Sequence, residues 1–270
     1  MRTRRLDGLV DLARYPIGDL DAPDAAALAG QCRDELDRDG VSILPGFLSV
    51  DATMRAVAES EALTPFGHPS DVEGTPYLEL PDDGWPDGHP RVTWAHTRLT
   101  AIAYDRFPEG AVLRTLYESD ALLAFLTRAL GFDVFRYDDP LGGLNLAAMY
   151  DGDRLAWHYD QTDFVVSLAV QESESGGDFE CVPRTRESRD GTVDERYDEV
   201  AAILAGDRSR VVTIPMTPGT LMLFEGRHTL HGVSDIGGTR PRFVGLFGYD
   251  RKPGTCSSEL LRAIRYGRTS

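Results

Sequence analysis

Three residues in the second half of the chain have the types and spacing to hold a metal ion. In LAWHYDQTDF, His158 and Asp160 stand two positions apart, and side chains two apart on an extended strand point to the same face. A second imidazole is available at His231, in LFEGRHTLHGVSDI. Two histidines and one carboxylate around a cation with open positions form the donor set that suits non-heme Fe(II) oxygen chemistry. His228 competes for the distal place, but an odd separation from His231 puts the two on opposite faces of a continuing strand. A His-x-Asp tripeptide alone is weak evidence, and its weight comes from its surroundings.

An anion site is the first of these. Arg242 heads the run RFVGLFGYD, and Arg240 precedes it by two. A guanidinium grips a carboxylate in a two-point geometry, so an arginine on a strand beside the distal histidine is placed to anchor the far end of a metal-bound diacid. Arg242 is preferred, because Pro241 makes the preceding position a turn, and Arg240, of the same parity, could substitute. Upstream, Trp94, His96 and Arg98 share one parity of RVTWAHTRLTAIAY and are candidates for contacting a polar small molecule.

The elements that must position these groups follow from periodicity. The run PDAAALAGQCRDELDRDG predicts a helix from Pro23 to Gly40, followed by a strand at 41–49 and a helix at 51–63 capped by Asp51. Residues 1–22 have no clear period and are expected to form a loosely packed arm. Residues 64–90, dense in Pro, Gly and Asp, predict an irregular lid or binding loop. Residues 110–131 predict helix broken at Ser119-Asp120 and ended by Gly131.

From there FDVFRY, LNLAAMY, AWHYD, DFVVSLAV, GDFECV, RVVTIPM, TLMLF and RFVGLFGYD are short β-prone runs, interrupted by a helix at DERYDEVAAILAG. Eight such runs after helices predict a mainly β fold with flanking helices, its core a sandwich or barrel of the jelly-roll kind. The segment SSELLRAIRYGR predicts a closing helix or tail. A single domain is expected, with a helical part and long loop at 1–130, the β core at 131–250 and a tail at 251–270. Gly176-Gly177 predicts a turn into a strand, and the acidic run DGTVDERYDEV a solvated helix face.

Composition narrows the partners. With 44 acidic against 28 basic residues the net charge is −16, which repels phosphate backbones and anionic membranes. Neither nucleic acid nor a membrane is expected; the oligomeric state is not legible. Cys32, Cys181 and Cys256 have no metal-type spacing and cannot all pair. No run reaches membrane-span length, and a cytoplasmic location is expected.

The ordered set LNLAAMYDGDRLAWHYDQTDF, SGGDFECVP and TPGTLMLFEGRHTLHGVSDIGGTRPRFVGLFGYD resembles the iron(II)/2-oxoglutarate-dependent oxygenases over residues 130–250, and DELDRDGVSILPGFLS resembles their N-terminal part. The resemblance implies a double-stranded β-helix (jelly-roll, cupin-like) with His158, Asp160 and His231 as iron ligands and Arg242 on the 2-oxoglutarate carboxylate. It places Asn145 and Thr229 as further co-substrate contacts. It implies Fe(II), 2-oxoglutarate and O2 as cofactors and oxidation of a C–H bond of a small molecule, with release of succinate and CO2.

WHYDQTDF and SGGDFECVP are similar to a branch acting on free amino acids, which holds hydroxylases and radical halogenases. Halogenases lack the metal carboxylate, so Asp160 implies hydroxylation of an amino acid or derivative, with halogenation, desaturation and cyclisation as variants. Substrate contacts are expected from His96, Arg98 or Arg91, Trp157 and Asp163, the arginines meeting a carboxylate and Asp163 an amine. Two other classes stand beside this one: a non-catalytic cupin-like metabolite binder, and a zinc hydrolase using the same three ligands, for which Arg242 has no evident use.

Overall fold

The computed structural model describes residues 6–79, 84–189 and 192–270. Two antiparallel sheets face each other. The larger contains β1 (Val41–Leu44), β2 (His68–Gly74), β3 (Ala95–Ala103), β5 (Leu144–Met149), β7 (Val165–Gln171), β13 (Leu221–Phe224) and β16 (Arg242–Phe247). The smaller contains β6 (Leu155–His158), β9 (Phe179–Val182), β12 (Val212–Ile214) and β14 (Leu230–Val233). Short pairs lie at the margins: β4 (Phe135–Arg136) with β17 (Tyr249–Asp250), β8 (Ser175–Gly176) with β15 (Ile236–Gly237), and β10 (Glu187–Arg189) with β11 (Thr192–Asp194). The strand orders are β1-β13-β7-β16-β5-β3-β2 and β12-β9-β14-β6. This is the expected jelly-roll with flanking helices.

Four helices cover the back of the larger sheet: α1 (Pro23–Asp39), α2 (Val50–Leu63), α3 (Val112–Tyr117) and α4 (Asp120–Leu130). Alternation along the strands divides their side chains between two cores. On β5, Leu144, Leu146 and Ala148 pack toward the helices, while Asn145, Ala147 and Met149 line the space between the sheets. β7 splits likewise, with Val166 and Leu168 under the helices and Val165 and Ser167 facing inward. A leucine buried this way contributes roughly 1.5–3 kcal/mol relative to exposure. That apolar payment on the helix side leaves the inner face free to carry polar groups.

Several expectations are corrected. The N-terminal arm is packed, not loose: Leu6, Leu9, Val10, Tyr15 and Ile17 are buried. Ser49 caps α2, its side chain accepting from the Ala52 amide, because Asp51 is already inside the helix. The 64–90 segment contains β2, and its residues 80–83 lie outside the described residues. β1, β2 and β3 make the 1–130 part a contributor to the sheet rather than a helical annex. In the acidic run, residues 190–191 lie outside the described residues, helix α5 starts only at Tyr197 (Tyr197–Leu204), and Glu195 is no solvated residue. Its carboxylate pairs with Arg186 at 2.7 Å and Arg91 at 3.5 Å. The Ser119 cap and the break between α3 and α4 are where periodicity puts them. The C-terminal segment forms α6 (Glu259–Tyr266). Among the described residues no helix is long and apolar enough to cross a membrane, and the three cysteines are free.

Candidate metal centre

β6 and β14 pair so that His231 lies directly opposite His158, their rings 4.2 Å apart between centroids. Asp160 follows two residues on, its amide donating to the Gly226 carbonyl at 3.0 Å. Its Oδ1 lies 3.6 Å from His158 Nε2 and its Oδ2 3.3 Å from His231 Nε2. One ligand atom from each residue falls within 4.8 Å of the others. Tyr159, between them, turns to the opposite side, where it is fully buried and donates its hydroxyl to Thr185 Oγ1 at 2.9 Å.

Both imidazoles are oriented for ligation. Nδ1 of His158 lies 2.8 Å from the Ala156 carbonyl and Nδ1 of His231 2.9 Å from the Thr229 carbonyl. A carbonyl only accepts, so each Nδ1 carries the proton and each Nε2 presents a lone pair to the centre. Burial, reinforced by His158, lowers His231 to about 4 and keeps it neutral. Burial would raise the Asp160 carboxyl, but His231, His158 and Arg265 hold it below its ordinary value. Asp160 Oδ2 is buried without a hydrogen-bond partner among the described residues, a costly state that a cation relieves. Two imidazole nitrogens and one orphaned carboxylate oxygen fit a divalent metal ion.

These residues stand in the wall of a cavity of about 290 Å3 between the sheets. Its walls are mainly apolar, with Leu99, Met149, Leu155, Phe179 and Val233 among them. Arg242, at the start of β16, lines the same cavity and is only 6% exposed. Its Nη1 lies 3.8 Å from the Met149 sulfur, and among the described residues no carboxylate lies within ion-pair range of it. Burial lowers its guanidinium to about 10, partly offset by the charge of Asp178. A buried cation without a counter-ion is expensive, and a carboxylate entering the cavity supplies one.

Two glycines make the approach possible. A Cβ on Gly226 would sit 2.2 Å from Asp160 Oδ2, and one on Gly177 3.0 Å from Arg242 Cδ. Gly177, at φ +71°, also adopts a left-handed conformation that other residues resist.

The remaining candidates divide. Asn145 lines the cavity with Oδ1 unpartnered. Thr229 does not: its Oγ1 faces Gly40, and it serves the centre through its carbonyl. β14 begins only at Leu230, so strand parity does not extend back to it. His228 points to the Arg186 carbonyl, at 3.2 Å, and Arg240 donates to the carbonyls of Glu172 and Ser173 at 2.9 and 3.0 Å.

The four residues expected at the substrate do not line the cavity. His96 is exposed between Asp71 and Glu73. Arg98 is held by Asp153 at 2.6 Å. Trp157 alternates to the outer face of the smaller sheet, 6.0 Å from Arg208. Asp163, expected to meet an amine, is neutralised by Arg227 at 2.6 Å and Arg251 at 3.3 Å. Arg91 is committed to Glu79, Glu195 and the Tyr197 hydroxyl. What the sequence reading missed are Ser167, Tyr137, Gln161 and the α6 residues Leu261, Arg265 and Tyr266, all on the cavity wall. Ser167 shares the inward parity of β7 and was legible; Arg265 gave no signal.

A model of the family described as Halogenase D matches residues 96–258. No curated protein matches the chain. Among solved structures, an oxidoreductase of the 2OG-Fe(II) oxygenase family from Burkholderia pseudomallei is 15% identical, with a TM-score of 0.51 over 84% of this chain and 92% of that one. A prolyl hydroxylase from Trichoplax adhaerens, in complex with a hypoxia inducible factor peptide fragment, is 15% identical, with a TM-score of 0.54 over 84% and 90%. HygX from Streptomyces hygroscopicus, with nickel, 2-oxoglutarate and hygromycin B bound, is 14% identical, with a TM-score of 0.54 over 83% and 88%. The family model covers more than half of the chain, so the chain belongs to the Halogenase D family, and it shares its fold with these solved structures.

Proposed function

We propose that the chain is an Fe(II)- and 2-oxoglutarate-dependent oxygenase that hydroxylates an unactivated C–H bond of a small molecule. The observation that carries this reading is the pairing, in one cavity, of the His158-Asp160-His231 cluster with the buried guanidinium of Arg242, which has no carboxylate partner among the described residues. His158, Asp160 and His231 would hold the iron, and Arg242 would take the far carboxylate of 2-oxoglutarate, with Asn145 lining the same cavity. HygX, which shares the fold, binds nickel and 2-oxoglutarate. Iron bound there supplies the oxidising power, drawn from dioxygen as 2-oxoglutarate is converted to succinate and CO2.

The protein's part is placement. The Ala156 and Thr229 carbonyls set the two imidazoles, Gly226 leaves room for the Asp160 carboxylate, and the apolar walls keep water from the reacting face.

Asp160 supports hydroxylation over the chemistry in the family's description. As a metal ligand its carboxylate would take the place that a halide would need, which favours transfer of oxygen. Adding Fe(II) and 2-oxoglutarate anaerobically should give a weak visible charge-transfer band, absent in Arg242→Gln, and oxygen should then release succinate. Absence of the band in the wild type refutes the oxygenase reading. A chlorinated product in the presence of chloride would instead favour the halogenase reading.

A further inference from the structure

Behind the metal-ligand cluster, on the side away from the cavity, the two ligand-bearing segments meet at a single hydroxyl. Thr185 is fully buried, in the turn that follows β9. A threonine hydroxyl offers one donor and two acceptor sites, and all three are used here. It accepts from the Tyr159 hydroxyl at 2.9 Å and from the Leu230 amide at 3.2 Å, and it donates to the Val182 carbonyl at 3.3 Å. Tyr159 stands between His158 and Asp160, and Leu230 immediately precedes His231. One oxygen atom therefore ties the segment carrying His158 and Asp160 to the strand carrying His231, and both to β9, where Val182 lies opposite Leu230.

The neighbouring backbone is shaped around that oxygen. Arg184, where the chain leaves β9, has a φ of +58°, a left-handed conformation that residues with side chains adopt at a cost. Arg186, on the other side, places its guanidinium 4.2 Å from the centre of the Tyr159 ring. Its amide donates to the His228 carbonyl at 3.3 Å, and its Nη1 to the Arg227 carbonyl at 3.4 Å. The same segment thus also holds the loop whose Gly226 carbonyl receives the Asp160 amide. None of the side chains of Tyr159, Thr185, Arg186 and Leu230 lines the cavity, so any effect on the centre passes through the backbone of the ligand segments.

Resting on the metal-centre reading above, we infer that Thr185 is a positioning residue, whose hydroxyl fixes the placement of His158 and Asp160 relative to His231 without touching the metal, the co-substrate or the substrate. Removing that oxygen leaves the Leu230 amide and the Tyr159 hydroxyl buried without a partner. Each must shift to find one or carry the full cost of desolvation. Either shift reaches a metal ligand one residue along the chain.

The test uses the full chain and Co(II) alone, with affinity read by competition with a chelator, ligand geometry by the visible d–d bands, and the Tm of the metal-free protein alongside. Thr185→Val keeps the side chain's shape without its hydroxyl and should bind Co(II) about 10–100-fold more weakly, with displaced bands. Thr185→Ser keeps the hydroxyl and should stay within about threefold of the wild type, with unchanged bands. Tyr159→Phe opens one arm of the clasp and should fall between them. Leu116→Ala, in the core under the helices and fully buried, should lower Tm while affinity and bands stay as in the wild type, which separates positioning from loss of stability. Wild-type affinity and bands in Thr185→Val, an equal loss in Thr185→Ser, or the same band displacement in Leu116→Ala would each overturn the inference. If Thr185→Val does not fold, unchanged affinity and bands in Tyr159→Phe overturn it. Failure of the wild type to bind Co(II) would strike the metal centre itself, and the inference with it.

Discussion

Replacing Arg242 by methionine should stabilise the metal-free protein while abolishing its response to 2-oxoglutarate. Burial depresses this guanidinium to about 10. Against its ordinary value, at about 1.4 kcal/mol per pH unit, that is a penalty of roughly 3 kcal/mol on the charged form. Cavity water returns part of it, and about 1–3 kcal/mol remains to be recovered by an apolar side chain of similar length, as for other buried charges replaced by packed hydrophobes.

The sign follows from the direction of the shift. A cationic group whose folded pKa is lowered costs stability at every pH below that value, and the cost fades only as pH rises through about 10. A scan at neutral pH therefore sees all of it. For a chain of this size each kcal/mol moves Tm by roughly 2 °C, so metal-free Arg242→Met should melt roughly 2–6 °C above the wild type. With nickel present and 2-oxoglutarate at about a hundred times its Kd, the wild type should gain about 2.7 kcal/mol, or roughly 5 °C, and the variant nothing beyond the metal effect. Differential scanning calorimetry with and without each component gives all four values. A lower Tm for metal-free Arg242→Met, or an undiminished shift on adding 2-oxoglutarate, would refute the assignment of Arg242 as a cation waiting for a carboxylate.

Other substitutions test the metal centre and its support. Gly226→Ala puts a methyl group 2.2 Å from Asp160 Oδ2 and should weaken metal binding by about 10–100-fold with little change in Tm, read by competition with a chelator. Tyr159→Phe removes the hydroxyl that donates to Thr185 Oγ1 and should cost about 1 kcal/mol. Tyr159→Ala empties a fully buried site, should cost roughly 3–5 kcal/mol, and should loosen the metal by freeing the backbone between His158 and Asp160; denaturant unfolding and metal titration check both. Trp157→Ala, on the outer face of the smaller sheet, should leave metal and 2-oxoglutarate affinities within about twofold of wild type, since each such factor of two is under 0.5 kcal/mol.

Alternation made much of the site legible before any coordinates. His158 and Asp160 share a face because they are two apart, and the apolar strand before His231 carries it to the same wall. The same rule, applied to Trp157, would have excluded it, since a residue adjacent to His158 on a strand must face away. The substrate candidates failed for a different reason. Whether a charged side chain is available depends on its partner, and the partners of Arg98 and Asp163 are Asp153 and Arg227, 55 and 64 residues distant. No local pattern encodes such pairings.

The sequence by itself determined the alternating strands, the capped helices behind them and a donor set able to hold a metal, because those depend on spacing within short segments. Only the tertiary structure decided which charges remain unspent. Once the chain has closed, ion pairs consume Arg91, Arg98 and Asp163 elsewhere, backbone carbonyls hold Arg240, and the cavity retains Arg242 and Arg265, neither of which has a carboxylate within ion-pair range among the described residues. That residue of uncompensated charge, a product of long-range packing, is what defines the ligands the cavity can accept.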